Sequence, residues 1–318
     1  MSRPGATAFD RRAIPAEAVE SHWIAADGLA IRRIDWPAPA QAPRGSLLFM
    51  GGRGDSYEKY LETLDYWHRQ GWAVTAADWR GQGASGRLGL DGHTGHIDDF
   101  AIWVADLAGF WSDWQAATPG PHGVVAHSMG AHLVLRALAE RRIDPAAAVL
   151  CAPMLGLAAG GLPAGVMHLI ARIMCRFGDP RRAAWKWSDK PGQPPAERGA
   201  LLTHDATRYA DELWWREKRP EISLGPGSWG WLERSYASMR RLQAPGVLEK
   251  IATPILIIAT ANDRLVGFKA IARAAQRLPN GELLRLDDAR HEILREADSL
   301  RDRALVAIDG FFAVKQGL

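Results

Sequence analysis

Residues 123–140 read GVVAHSMGAHLVLRALAE: a short apolar run, then Ala126, His127, Ser128, Met129 and Gly130, then helical periodicity. A serine flanked by small residues two positions on either side, at a strand-to-helix junction, suits a nucleophile carried on a turn too sharp for larger side chains. Such a turn lifts the hydroxyl over the sheet, and a helix beginning at Met129 offers its free N–H groups to an oxyanion formed there. Alanine occupies the first small position where glycine is preferred, a departure of one methyl group.

A serine hydroxyl is a poor nucleophile at neutral pH and needs a base within reach, held in one tautomer by a carboxylate. The histidines downstream of Ser128 are His132, His168, His204 and His291. Only His291 falls just past an expected parallel strand; His132 lies on the helix after the serine, and the other two lie in a region without strands. Asp263 directly follows the apolar run PILIIAT, with room for one helix and one strand before His291. Ser128, Asp263 and His291, in that chain order, are the candidate triad. Asp287 and Asp288, which end the last strand, are competing acids. The glycine-rich loop MGGRGDSYEKY follows the first parallel strand and lets backbone approach a substrate closely. Its Arg53 amide is the expected first oxyanion donor and the Met129 amide the second, with the Arg53 side chain directed either at a substrate headgroup or into solvent.

These residues need a scaffold that brings strand ends together. SHWIAADGLAIRRIDW reads as an antiparallel hairpin around Asp27-Gly28. From residue 47 short apolar strands alternate with amphipathic helices, the pattern of βαβ units and a mostly parallel sheet. The helix near residue 100 carries Phe100, Trp103, Val104, Leu107, Trp111 and Trp114 on one stripe, which is core packing. Further strands are expected at 146–152, 254–260 and 282–288, with helices after the last two. Between 155 and 248 the alternation stops, and Trp185, Trp187, Trp214, Trp215, Trp229 and Trp231 fall there. A helical insertion at that point lies over the C-terminal strand ends, where open α/β sheets bind ligands. The expected organisation is therefore a core of 1–154 and 249–318 with an inserted helical cap at 155–248.

The 318 residues carry a net charge of +3, too small to suggest nucleic acid as a partner, although Arg172, Arg176, Arg181, Arg182 and Lys186 form a local basic cluster, read as a solvated helix face. Cys151 and Cys175 belong to no metal-binding or disulfide pattern and read as buried apolar residues. Disorder is expected only in the first dozen residues. With neither a secretory leader nor a membrane-spanning stretch legible, the expectation is a soluble, cytoplasmic protein. GQGASG, at 81–86, matches a dinucleotide-binding pattern, but no helix follows it to bind phosphates; a structural loop tied by Asp78 and Arg80 is expected instead.

Taken together, GGRGDSYEKY, DWRGQGASG, AHSMG and ARHEILRE resemble the oxyanion loop, Asp-x-Arg-Gly segment, nucleophile elbow and histidine loop of the monoacylglycerol lipase and bacterial lysophospholipase group. That resemblance implies an α/β-hydrolase fold, a mostly parallel eight-stranded sheet with an N-terminal antiparallel hairpin and an inserted helical cap. It implies Ser128 as nucleophile, Asp263 and His291 as its partners, and the Arg53 and Met129 amides as oxyanion donors. Gly51 departs from the group, standing where a histidine is usual, as does Ala126. The expected reaction is cofactor-free and metal-free hydrolysis of a single-chain lipid ester, a lysophospholipid or monoacylglycerol. The apolar cap segment LPAGVMHLIARIMCRFG would form either an acyl site or plain lid packing. Alternatives are a small-ester, lactone or C–C bond hydrolase of the same fold, or a noncatalytic small-molecule receptor. Transient contact of the cap with the inner face of a membrane, and a monomer or homodimer, complete the expectations.

Overall fold

The structure is a computed structural model that describes residues 9–38, 43–158, 162–186 and 194–315. Strands β1 (Val19–Ile24) and β2 (Ala30–Trp36) pair antiparallel around the Asp27-Gly28 turn. The strongly apolar strands that follow, β3 (Gly45–Met50), β4 (Trp72–Ala77), β5 (His122–His127), β6 (Ala147–Cys151) and β7 (Ile255–Ala259), lie in the sheet interior, as strands covered on both faces must. With β8 (Gly281–Arg285) they form one eight-stranded sheet in the order β1-β2-β4-β3-β5-β6-β7-β8, parallel from β4 onward. The antiparallel start and parallel remainder match the expected fold.

Helices α1 (Leu61–Arg69), α2 (Phe100–Ala117) and α3 (Ser128–Ala139) connect the first strands. The whole aromatic stripe of α2 is buried, as expected of core. A 3-10 turn over Tyr57–Tyr60 precedes α1, and α2 starts only after Asp99, whose side chain accepts from the Ala101 amide at 2.8 Å.

Between β6 and β7 the described residues hold helices α4 (Ala164–Arg176), α5 (Gly199–Leu202), α6 (Ala206–Lys218) and α7 (Trp229–Gln243) and no strand. After β7 come α8 (Phe268–Arg277) and α9 (Asp298–Lys315). No helix among the described residues is long and apolar enough to cross a membrane.

The GQGASG segment is a structural loop. Asp78 accepts from Arg32 Nε at 2.8 Å and the Ala84 amide at 3.0 Å, while Arg80 spans Asp106 and Asp27. Burial pushes the Asp78 carboxyl up to about 6 against the pull of Arg32.

Three expectations need correction. Arg11 and Arg12, placed by sequence in a disordered start, both pair with Asp211 at 2.6 Å, and the Arg11 carbonyl accepts from Trp215 Nε1 at 2.8 Å. Cys151 is buried, but Cys175 is only half-buried, because α4 sits at the surface. Arg182 of the basic cluster is not a solvated charge: its guanidinium folds back to donate to the Met174 carbonyl at 2.8 Å.

Candidate active site

Ser128 sits where β5 becomes α3 with φ of +51°, a left-handed conformation that is costly for a residue with a side chain. The turn is held by close backbone packing. A Cβ at Gly130 would lie 2.3 Å from the Gly51 carbonyl oxygen, and one at Gly52 would lie 2.9 Å from Ser128 Cβ. The glycine loop is therefore pressed against the serine. Ala126 is fully buried within β5, paired with Met50 and Leu150.

The structure brings the three widely separated residues into one line. His291 Nε2 is 3.0 Å from Ser128 Oγ, and His291 Nδ1 is 2.7 Å from Asp263 Oδ2. The second Asp263 oxygen accepts from the Leu265 and Val266 amides at 2.8 and 3.0 Å. A carboxylate fixed in this way accepts the Nδ1 proton and leaves Nε2 free to take the serine proton. Burial raises the Asp263 pKa, but the His291 charge and hydrogen bond and the two amides outweigh it and hold the carboxyl below its ordinary value. It stays ionised.

The competing groups have other partners. Asp287 accepts from Arg285 and from the Ala261 amide, so it steadies the loop that carries Asp263. Asp288 is exposed. His132 bonds Ser238 Oγ at 2.7 Å, His168 faces Glu233 and His204 faces Glu296.

In the glycine loop, the Gly52 amide donates to Asp55 Oδ2 and the Gly54 amide to Gln82 Oε1, each at 2.7 Å. Among the described residues the Arg53 amide between them has no acceptor, nor has the Met129 amide at the start of α3.

Sequence reasoning missed the polar assembly beneath this line. His127 Nε2 donates to the His291 carbonyl at 3.3 Å, while its Nδ1 lies 2.9 Å from Asp55 Oδ2 and 3.0 Å from the Tyr60 hydroxyl. Lys59 pairs with Asp55, with Glu292 at 2.6 Å and with Glu212 at 3.3 Å; Arg295 pairs with Glu212 at 2.9 Å and with Glu292. All these side chains are nearly inaccessible to water. Burial opposes the charges, yet Lys59 and His127 hold Asp55 well below the usual carboxylate range, and Arg295 and Lys59 lower Glu292. The available signal was charged residues at helical spacing, Asp55 with Lys59 and Glu292 with Arg295, beside motifs expected to be buried.

A cavity of about 490 Å³ opens above Ser128 and His291. Met167, Trp185, Trp229 and Trp231 from the α4–α7 segment form part of its wall, with Leu265 and Val266 from the Asp263 loop. Trp214 and Trp215 are not in that wall; they lie near Arg12 and Arg219 instead, and Trp187 lies outside the described residues.

A family profile described as "Serine aminopeptidase, S33" matches residues 41–298. The chain belongs to that hydrolase family. It is 31% identical over 308 residues to lysophospholipase L2 of Escherichia coli K12, covering 92% of this chain and 87% of the relative. Probable lysophospholipase L2 of Haemophilus influenzae is 28% identical over 287 residues, covering 87% and 86%. Among solved structures, a soluble variant of monoglyceride lipase from Saccharomyces cerevisiae, in complex with a substrate analog, superposes with a TM-score of 0.75 at 18% identity, covering 99% of both chains. A monoacylglycerol lipase from Paleococcus ferrophilus gives 0.68 at 18% identity over 89% of this chain and 98% of the other. This hydrolase thus has the α/β-hydrolase fold and is similar in sequence to lysophospholipase L2.

Proposed function

We propose that the protein hydrolyses single-chain lipid esters through an acyl-enzyme on Ser128. The observation that carries this reading is the Ser128–His291–Asp263 hydrogen-bonded line at the floor of a largely apolar cavity. Ser128 Oγ attacks the ester carbonyl carbon as His291 Nε2 takes its proton, and the Arg53 and Met129 amides hold the oxyanion. Collapse expels the alcohol, protonated by His291. His291 then deprotonates a water that attacks the acyl carbonyl, and the acid leaves as Ser128 regains its proton. Asp263 stabilises the imidazolium in both halves.

Residues 155–248 act as a cap over the core formed by 1–154 and 249–318. The apolar wall suits an acyl chain, and relatives named lysophospholipase and monoglyceride lipase favour the same substrate class. Aminopeptidase chemistry, which the family is named for, fits less well. A free amino terminus needs an acidic anchor, but Asp55 and Glu292 are already paired with Lys59, and Arg53 adds positive charge.

The cap also suits contact with a lipid surface. Val166, Leu169 and Ile173 on α4, with Leu162 before the helix and Phe177 just after it, are exposed apolar residues, with the exposed Arg172 and Arg176 beside them. Apolar insertion with flanking cations matches an anionic phospholipid bilayer from which a single-chain lipid would be drawn.

The test is turnover of p-nitrophenyl esters of increasing chain length by wild type and Ser128→Ala. Loss of at least about a thousandfold in the variant is expected. Failure of wild type on every ester, with no labelling by a fluorophosphonate, would overturn the reading.

A further inference from the structure

Arg53 has an unusual setting. Its side chain lines the cavity above Ser128 and lies over the faces of Trp231 and Trp185, at 5.0 and 5.4 Å from the ring centroids. One guanidinium nitrogen donates to the Gly225 carbonyl at 2.7 Å. No carboxylate pairs with it among the described residues, and its Nε is a buried donor without an acceptor. Trp231 Nε1, on the same wall, is another such donor. Other buried arginines here differ. Arg32 and Arg295 each face two carboxylates, and their pKa values are raised; Arg53 is lowered to about 9 by burial and by the nearby charges of Arg198 and Arg216.

A half-buried cation held, among the described residues, by a carbonyl and two indole faces lacks its counter-charge. An anion in the cavity would supply that counter-charge, and a phosphate group suits a guanidinium's forked donors. Chain geometry supports the same choice. The Arg53 amide stands at the oxyanion position and its guanidinium at the other end of the same side chain. In a 1-acyl lysophospholipid built on glycerol the path from ester carbonyl carbon to phosphorus crosses the same number of bonds as the path from that amide nitrogen to the guanidinium carbon.

We infer that the Arg53 side chain is a specificity determinant that binds the phosphate of a lysophospholipid while its ester lies on Ser128, favouring phosphate-bearing lipids over neutral monoacylglycerols. This inference rests on the ester-hydrolase reading above.

The experiment compares kcat/KM for 1-oleoyl lysophosphatidylglycerol and 1-oleoylglycerol in wild type, Arg53→Met and Arg53→Lys, with p-nitrophenyl butyrate as a phosphate-free ester and thermal unfolding as a check of fold. Wild type should prefer the phospholipid. In Arg53→Met the ratio of the two lipid values should fall about thirtyfold, mainly through KM, and Arg53→Lys should restore part of it. An equal fall on both lipids would show that the side chain serves only the loop and overturn the inference. So would an unchanged ratio, or wild type that cleaves the glyceride but not the phospholipid. Inhibition of glyceride cleavage by inorganic phosphate that Arg53→Met abolishes, with no preference between the lipids, would assign the position to a free anion and overturn the substrate role. Wild type inactive even on p-nitrophenyl butyrate would instead sink the ester-hydrolase reading itself.

Discussion

The floor and the roof of the cavity are held in place by different forces. On the floor, His291 is fixed by Asp263 on its ring and His127 on its carbonyl, and the residue after it belongs to a water-excluded set of charges with Lys59, Glu212 and Arg295. On the roof, α4 packs one face on α7 and leaves Leu169, Ile173 and Phe177 exposed. Catalysis needs a base held to a fraction of an ångström, and buried, directional polar contacts provide that. Under the proposed reading, a cap that admits a lipid ester would need apolar surface. The contrast teaches that directional polar contacts gather around Ser128 and His291, whereas the opposite wall leaves apolar surface exposed.

Four variants probe this contrast. The largest effect is expected at the floor itself: Asp263→Asn should reduce kcat for a short-chain ester about ten-thousandfold, because the carboxamide no longer selects the productive tautomer. A fall below about tenfold would show that Asp263 does not orient His291. Next, Glu292→Gln leaves Lys59 and Arg295 short of one counter-charge and should cost about 3 kcal/mol in urea unfolding. A cost well under that would mean the floor is held by packing and not by its ion pairs. On the roof, the double variant Leu169→Ser with Phe177→Ser should lower co-sedimentation with phosphatidylglycerol vesicles about fivefold or more, from the exposed apolar area lost. Undiminished binding would remove α4 from the membrane surface.

A separate effect, read across pH, concerns His132, which lies outside the triad. Burial and the Arg136 charge lower its pKa from 6.5 to about 3. Since the unfolded chain accepts a proton that the folded chain refuses, this group's contribution is complete above about pH 6.5 and declines as pH falls toward 3. His132→Gln should therefore flatten the stability curve in that window, by up to about 1.4 kcal/mol per pH unit. An unchanged slope of urea midpoint against pH would show that His132 does not drive acid unfolding.

Much of this was legible in the sequence because local rules agree there. Strand periodicity placed β3 to β8, small residues around Ser128 marked the sharp turn, and one histidine alone followed a parallel strand. The underlying polar assembly was not legible. Lys59, Glu212 and Glu292 come from three distant segments, and ordinary composition makes each a surface residue; only the folded chain shows that they neutralise one another. The chemistry of Arg53 was left between two options by sequence, because its meaning depends on which residues fail to surround it.

The pairing of residues 11 and 12 with α6 has a practical consequence for handling the protein. Arg11 and Arg12 both bind Asp211, the Arg11 carbonyl binds Trp215, and Glu20 on β1 binds Arg219 at the end of the same helix. One border of the roof is thus laced to the start of the chain. A purification tag or trimmed start placed close to residue 11 would tug on that lacing, so altered chain-length preference in a tagged preparation would report on the tag as much as on the enzyme.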